Sequence, residues 1–287
     1  MSIEKGGSLV KIAVVPNLTK GAAQACTDEV LEILTQCGCE TVLKTDLFTA
    51  HGLYQERVED SLLACDLFIA IGGDGTIIHT AKLAASMNKP ILGVNAGKLG
   101  FTAGVERHEL SLLSNLINGE YREEKRLMLA VELVSGDKVQ RFHALNDAVL
   151  SGEPAKIIDY QMTLGRRSYR YRADGFIVAT PTGSTAYSLS AGGPVIEPNM
   201  DCLVYTPICP HSLFNRSVIF GTESQLLVDI PENIGKLYLS VDGETPLEVF
   251  TGDKLRFFPS DRIARFIRLG GYDFYDILNQ KIIETRQ

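Results

Sequence analysis

The sequence has no tryptophan, no Cys-x-x-Cys pair, no excess of basic charge and no long apolar run. The missing tryptophan decides nothing; the other absences each close off a class. Cys26, Cys37, Cys39, Cys65, Cys202 and Cys209 are scattered, and Cys37 with Cys39 lacks a second pair of ligands, so no zinc site is expected. Reduced thiols in a cytoplasmic protein are the simplest account. No stretch approaches the ~20 apolar residues of a membrane helix, and no signal-peptide core follows the N-terminal Met-Ser-Ile-Glu-Lys-Gly-Gly-Ser. Lys and Arg number 28 against 35 Asp and Glu, giving −7; this argues against a general nucleic-acid binder but leaves room for a local basic pocket. With 45% hydrophobic and 22% charged residues, disorder, collagen and coiled coil are excluded as the dominant state. A chain of 287 residues suits two domains at ~150 each and needs neither disulfides nor a structural metal to fold.

The pattern changes near residue 124. Before it, Lys11–Pro16, Thr41–Leu43, Cys65–Ile71 and Pro90–Val94 read as strands. Between them Ala22–Gln36, Ile77–Ser86 and Leu110–Ile117 read as helices, with Gly38 placed as a C-cap glycine. Such alternation implies a mostly parallel sheet covered on both faces. After a charged, linker-like Arg122–Arg126, strands dominate: Met128–Val134, Phe142–Leu150, Ile157–Leu164, Tyr169–Val178, Leu226–Ile230, Leu237–Val241 and Leu255–Phe258. This half predicts a β-sandwich or folded sheet, interrupted by one helix over Ser184–Ala191. The expected fold class is therefore an α/β domain followed by an all-β one.

Three motifs carry chemistry. Ile71-Gly72-Gly73-Asp74-Gly75-Thr76 follows a strand and precedes a helix, where open α/β sheets bind ligands. Its glycines allow positive φ and close approach, and its amides with the following helix N-terminus can cradle phosphate. Asp74 would repel phosphate unless it binds a cation or takes a proton from an attacking hydroxyl, which points to phosphoryl transfer. A tight turn alone is the bland alternative. The dinucleotide fingerprint fails because Ile78 occupies its third glycine position, and Gly93–Lys98 followed by Leu99 has the wrong spacing for a P-loop. The second motif runs from Asp174 to Pro194, dense in Gly, Ser, Thr and Ala. There Thr182, Ser184 and Thr185 can cap a helix or donate to a ligand, and Tyr187 offers a flat face with a polar tip. The third is Asn146-Asp147, in or at the end of a strand, whose bland reading is a turn.

Together these motifs resemble the NAD kinase family, which makes NADP from NAD with ATP or polyphosphate. The likeness adds the Asn95-x-Gly97-x-Leu99-Gly100-Phe101 turn, the Thr206-Pro-Ile-Cys-Pro-His211-Ser-Leu run and Val241-Asp242-Gly243, in family order over residues 65 to 260. It implies an N-terminal α/β domain (residues 1–123, rejoined by 266–287), a β-rich domain (124–265), and NAD bound between them. Tyr272–Ile283, with Phe274, Ile277 and Ile282 as an apolar stripe, fits a chain end returning to the first domain. By the resemblance Asp74 is catalytic and faces the 2′-hydroxyl of the adenosine ribose, while Gly72, Gly73, Gly75 and Thr76 hold the donor phosphates. Asn146, Asp147, Asp174, Thr182, Thr185, Ala186 and Tyr187 match NAD-contacting positions; Arg172 and Ser190 match more loosely, Arg172 being equally readable as a solvated strand charge. His79, close to the phosphate loop, is a structural histidine or a ligand contact. Asp147 stands where many relatives have Glu, and Glu244 where relatives often have Gln. The resemblance also implies Mg²⁺ or another divalent cation arriving with the donor, a homodimer or homotetramer, and neither nucleic acid nor membrane as partner. A lipid kinase with the same loop, a non-catalytic NAD(P) sensor and a scaffold remain open from the residues alone.

Overall fold

The computed structural model describes residues 9–19, 21–48, 58–97, 100–211, 215–231, 235–270 and 273–284, with the backbone alone for 282–284. Of the motif and helix residues, Lys98, Leu99, Ser212, Leu213, Tyr272 and the side chain of Ile282 lie outside the described residues. The chain forms two compact units, Met1–Lys125 with Ala264–Gln287, and Arg126–Ile263.

In the first unit, β1 (Lys11–Pro16), α1 (Ala23–Gln36), β2 (Glu40–Leu43), α2 (Asp60–Leu63), β3 (Leu67–Gly72), α3 (Asp74–Ser86) and β4 (Pro90–Asn95) follow in order. A short strand β5 (Val105–Glu106), a 3-10 turn (Arg107–Leu112) and α4 (Leu113–Ile117) complete the run. The strands pair in parallel in the order β2–β1–β3–β4. Ile12, Val14, Ile69 and Leu92 pack with Val30 and Leu34 of α1 and Leu113 and Leu116 of α4. Ala13 and Val15, which point the other way, are equally buried, so both faces are covered. Helix α1 ends as its glycine suggests: Gly38 takes φ +74°, its N–H reaches Thr35 O at 3.0 Å, and the N–H of Cys39 reaches Leu34 O at 3.0 Å.

The second unit is built from β6 (Arg122–Ser135, which starts in the first), β7 (Lys138–Ala144), β8 (Asp147–Gly152), β9 (Ile158–Leu164), β10 (Arg167–Ala173) and β11 (Gly175–Ala179). After a 3-10 turn (Thr182–Thr185) and α5 (Tyr187–Ser190) come β12 (Cys202–Ile208), β13 (Val218–Gly221), β14 (Leu226–Asp229), β15 (Leu237–Val241), β16 (Leu247–Val249) and β17 (Lys254–Arg268). Helix α6 (Phe274–Glu284) then closes the chain in the first unit. One antiparallel layer runs β10–β9–β14–β17 with the β6–β7 hairpin, the other β13–β12–β11–β8–β15–β16. Leu129, Tyr160 and Met162 of the first layer share a core with Phe176, Leu203, Tyr205 and Leu239 of the second, the arrangement of a sandwich. Tyr160 and Tyr205 meet across it at 2.5 Å between hydroxyls, and burial pushes both phenols above their usual range.

The structure departs from the sequence pattern in several places. Helix α3 begins at Asp74, not Ile77, so the glycine motif supplies the helix's first turn. Gly72, Gly73 and Gly75 do not take positive φ; Gly73 is extended at φ −93°, ψ −177°. What position 72 requires is space, because a Cβ there would lie 2.5 Å from Thr76 Oγ1. Arg122–Arg126 is strand rather than linker, its charges met by Arg265 on Glu123 at 2.7 Å and Arg268 on Glu124 at 3.1 Å. The stretches Phe142–Leu150 and Tyr169–Val178 each break into two strands of different sheets, at residues 145–146 and at Asp174. The helix expected over Ser184–Ala191 is a 3-10 turn and a single α turn, parted by Ala186 at ψ −129°. Among the described residues no helix is long and apolar enough to cross a membrane.

Candidate active site

The order β2–β1–β3–β4 reverses direction between β1 and β3, and open α/β sheets bind ligands outside the carboxyl ends of strands at such a switch point. Both strand ends there carry polar groups. Asn17, next after β1, donates its N–H to Ile71 O at 2.9 Å and its side-chain amide to Thr76 Oγ1 at 3.1 Å. Helix α3 starts at this point with Gly73 as N-cap and no side-chain cap. Its first bond of this turn runs from Ile77 N–H to Gly73 O at 3.2 Å, so the amides of Asp74, Gly75 and Thr76 precede the helical ladder, as those of any first turn do. Uncapped amides and the positive end of a helix of 13 residues favour an anion.

Asp74 itself is held from a separate segment. Thr102 donates its hydroxyl to Oδ1 at 2.6 Å and its N–H to the same oxygen at 3.2 Å, while Phe101 N–H reaches Oδ2 at 3.2 Å. Gly100 is obligatory beside this seat, since a Cβ would collide with the carboxylate. Asn95, at the end of β4, donates its amide to both oxygens of Glu106 at 3.1 and 2.9 Å and accepts from Gly97 N–H at 3.0 Å, which fixes the turn leading to Gly100. Burial is the main cause pushing the Glu106 carboxyl above its usual range; the Asn95 bond opposes it, and Glu109 and Asp74 add to it. Helix α6 packs on the same segment: the Phe274 ring lies 6.1 Å from Phe101, and Lys281 Nζ stands 4.4 Å from the Phe101 ring centre and 3.9 Å from Asp74 Oδ2. His79 follows one turn further along α3, its ring 6.4 Å from Phe48. Motif and composition mark none of Asn17, Thr102, Glu106 and Lys281 as site residues, and Asn95 only as part of a turn. The signal available was positional: Asn17 and Asn95 each stand at the carboxyl end of a strand.

In the second unit, Asn146 and Asp147 sit where β8 begins. The Asp242 carboxylate accepts from the N–H groups of Leu145, Asn146 and Asp147 at 2.7, 2.8 and 3.0 Å, which bends the chain out of β7 and into β8. Asp242 adopts φ +50° in the β15–β16 connection to do so. Asn146 Oδ1 is buried without a hydrogen-bond partner among the described residues, an acceptor suited to a ligand donor. Asp147 is 6% exposed, and burial first, then the Asp242 charge, pushes its carboxyl to about 7. Thr180 links this bend to the next motif, its hydroxyl donating to Leu145 O at 2.5 Å and its N–H to Asn146 O at 2.8 Å.

The hydroxyls expected to cap a helix or donate to a ligand are partly consumed. Ser184 donates to Pro181 O at 2.7 Å and accepts from Ile196 N–H at 3.0 Å; Thr185 bonds Thr182 O at 3.4 Å, and neither helical segment has a side-chain cap. Thr182 is buried, its hydroxyl 3.5 Å from an Arg126 nitrogen. Ala186 is half-buried, whereas Tyr187, Ser190 and Asp174 are exposed. Arg172 is exposed too, paired with Asp159 at 3.5 Å in an open hollow shared with Arg170 and His211. The structure thus gathers Gly72, Gly73, Asp74, Gly75 and Thr76 in one unit, and joins Asn146 and Asp147 to the Thr180–Thr185 turn in the other.

Family models match both halves of the chain: the ATP-NAD kinase N-terminal domain over 12–121 and the ATP-NAD kinase C-terminal domain over 145–269. The chain belongs to the NAD kinase family. Curated NAD kinases agree along nearly their full length. That of Symbiobacterium thermophilum is 40% identical, covering 96% of this chain and 99% of its own; that of Thermoanaerobacter sp. is 36% identical at the same coverages. Among solved structures, an NAD kinase from Archaeoglobus fulgidus in complex with ATP is 25% identical with TM-score 0.71, covering 96% of this chain and 99% of that one. The yeast NADH kinase complexed with NADH shares the fold at TM-score 0.83 and 23% identity, over 96% of this chain and 88% of that one. The NAD kinase matches contain Asn17, Asp74 and Thr102 in the first range and Asp147, Thr182 and Asp242 in the second; helix α6 lies beyond both.

Proposed function

We propose that the protein transfers the γ-phosphoryl group of ATP, or the terminal group of polyphosphate, to the 2′-hydroxyl of the adenosine ribose of NAD, giving NADP. The observation that carries this reading is a carboxylate, Asp74, held by three hydrogen bonds in the first turn of a helix whose amides suit phosphate, within a chain that matches both NAD kinase domains. The ribose oxygen attacks the terminal phosphorus of the donor, the bond to its bridging oxygen breaks, and ADP, or the polyphosphate shortened by one unit, departs. Asp74 accepts or orients the hydroxyl proton; a carboxylate already holding its N–H and O–H donors still has lone pairs to spare. Catalysis then rests on positioning and electrostatics. Asn146, Asp147, Asp174, Thr182, Thr185, Ala186 and Tyr187 hold NAD, with Arg172, Ser190 and His79 as further contacts, and Gly72, Gly73, Gly75 and Thr76 receive the donor phosphates.

A divalent cation fits this site as a companion of the donor. Among the described residues no group of three His, Cys, Asp or Glu could hold a metal. Magnesium needs no such cage, since it keeps its waters and is bound through one or two carboxylates plus substrate phosphates. Such an ion would be held chiefly by the donor's own phosphates beside the first turn of α3, and it would supply charge neutralisation to them. We further propose a cytoplasmic homodimer or homotetramer, as family members generally are, which sedimentation of the purified protein would check. A coupled NADP-formation assay with ATP, GTP and polyphosphate in parallel tests the function. NADP should accumulate when NAD and a donor are both present; its absence with every donor would contradict the reading.

A further inference from the structure

We propose that Lys281 of the C-terminal helix is a phosphate-binding residue of the active site, its ammonium receiving the terminal phosphate oxygens of the donor beside Asp74. The proposal rests on the kinase reading above and extends the site to an element outside both family-matched ranges. Phe274, Ile277 and Lys281, spaced i, i+3, i+7, lie on one face of α6. Phe274 meets the Phe101 ring, and Ile277, 7% exposed, lines a small cavity with Gly100, Ala103 and Val105. Two apolar anchors therefore fix where Lys281 emerges, and its ammonium rests over the face of Phe101.

From there Nζ is 3.9 Å from Asp74 Oδ2, longer than the ~2.8 Å of a direct charged hydrogen bond and suited to a bridging oxygen. The side chain keeps 33% of its surface exposed. The surroundings call for a cation, because Asp74, Glu106 and Glu109 crowd negative charge around the place where a polyanionic donor must arrive. Arg268 in the same unit is turned away to Glu124 and to the main-chain carbonyls of Thr102 and Ala103. Lys281 thus combines charge, exposure and a fixed base at the mouth of the phosphate loop.

The test compares Lys281→Met, which keeps the stem and drops the charge, with Lys281→Arg, which keeps the charge. Loss of a charged hydrogen bond should raise the KM for ATP about tenfold or more in K281M, while K281R stays within about threefold of wild type. The KM for NAD should move less than about twofold and the melting temperature should hold in both. Calorimetric titration with ATP and Mg²⁺, which needs no turnover, should show the same weakening. Equal ATP affinity in K281M and wild type would overturn the proposal whether or not NADP is formed. Parallel losses in ATP affinity, NAD affinity and melting temperature would overturn it too, making Lys281 a packing residue. Lys281-dependent ATP binding without NADP formation would instead sustain this inference and overturn the kinase reading.

Discussion

At Asp74 three donors converge on one carboxylate, and the strongest, the Thr102 hydroxyl at 2.6 Å, comes from a residue only 4% exposed. Thr102→Val removes that donor while keeping the shape, so kcat should fall about 10- to 100-fold, the range for a hydrogen bond to a charged group. Thr102→Ser should recover most of it; equal activity in both variants would separate the hydroxyl from catalysis. Asp147 gives a second residue-level prediction. Its carboxyl is raised from 3.8 to about 7 by burial, so between those values the native state holds a proton that the unfolded chain releases. Stability contributed by the neutral form is complete below about pH 4 and is lost as pH rises through about 7. Asp147→Asn abolishes this slope, and its melting temperature relative to wild type should climb from pH 5 to 8. A constant difference across that range would mean that Asp147 titrates normally.

Elements show how far the sequence could be read. The α/β alternation and the Gly38 helix stop are local patterns, and the structure contains both. Strand breaks at residues 145–146 and at Asp174 were not legible, because alternation records burial and not the sheet in which a strand finds its partners. Cys202–Ile208 is not legible as a strand for a related reason: buried on both faces and ending near Pro207, it lacks the alternation of a half-buried strand. The glycine motif was found by its composition, but its conformation depends on Thr76 and Asn17, which sequence spacing cannot place together. Asp242, 95 residues from Asp147, shapes the 145–147 bend through three main-chain bonds. Asp242→Ala would leave those N–H groups without their acceptor at a cost of about 2–4 kcal/mol, a fall in melting temperature of roughly 4–16 °C. A shift under about 2 °C would show that water replaces the carboxylate.

For the whole molecule, the proposed reaction asks a chain carrying −7 to bind two further anions; in that reading helix amides, a cation brought with the donor and the ammonium of Lys281 would offset the repulsion locally. A ligand that binds the native state alone raises the melting temperature, so NAD and ATP with Mg²⁺ should each do so while diacylglycerol should not. No shift with NAD at concentrations far above micromolar would point to a scaffold. The most direct test is ³¹P NMR of the product formed from NAD and ATP by wild type and by Asp74→Asn. A new 2′-phosphate resonance should appear with wild type, slowed about 10²- to 10⁴-fold in the variant while NAD binding persists. A 2′-phosphate formed equally fast without the carboxylate, or no phosphorylated NAD at all from wild type, would contradict that expectation.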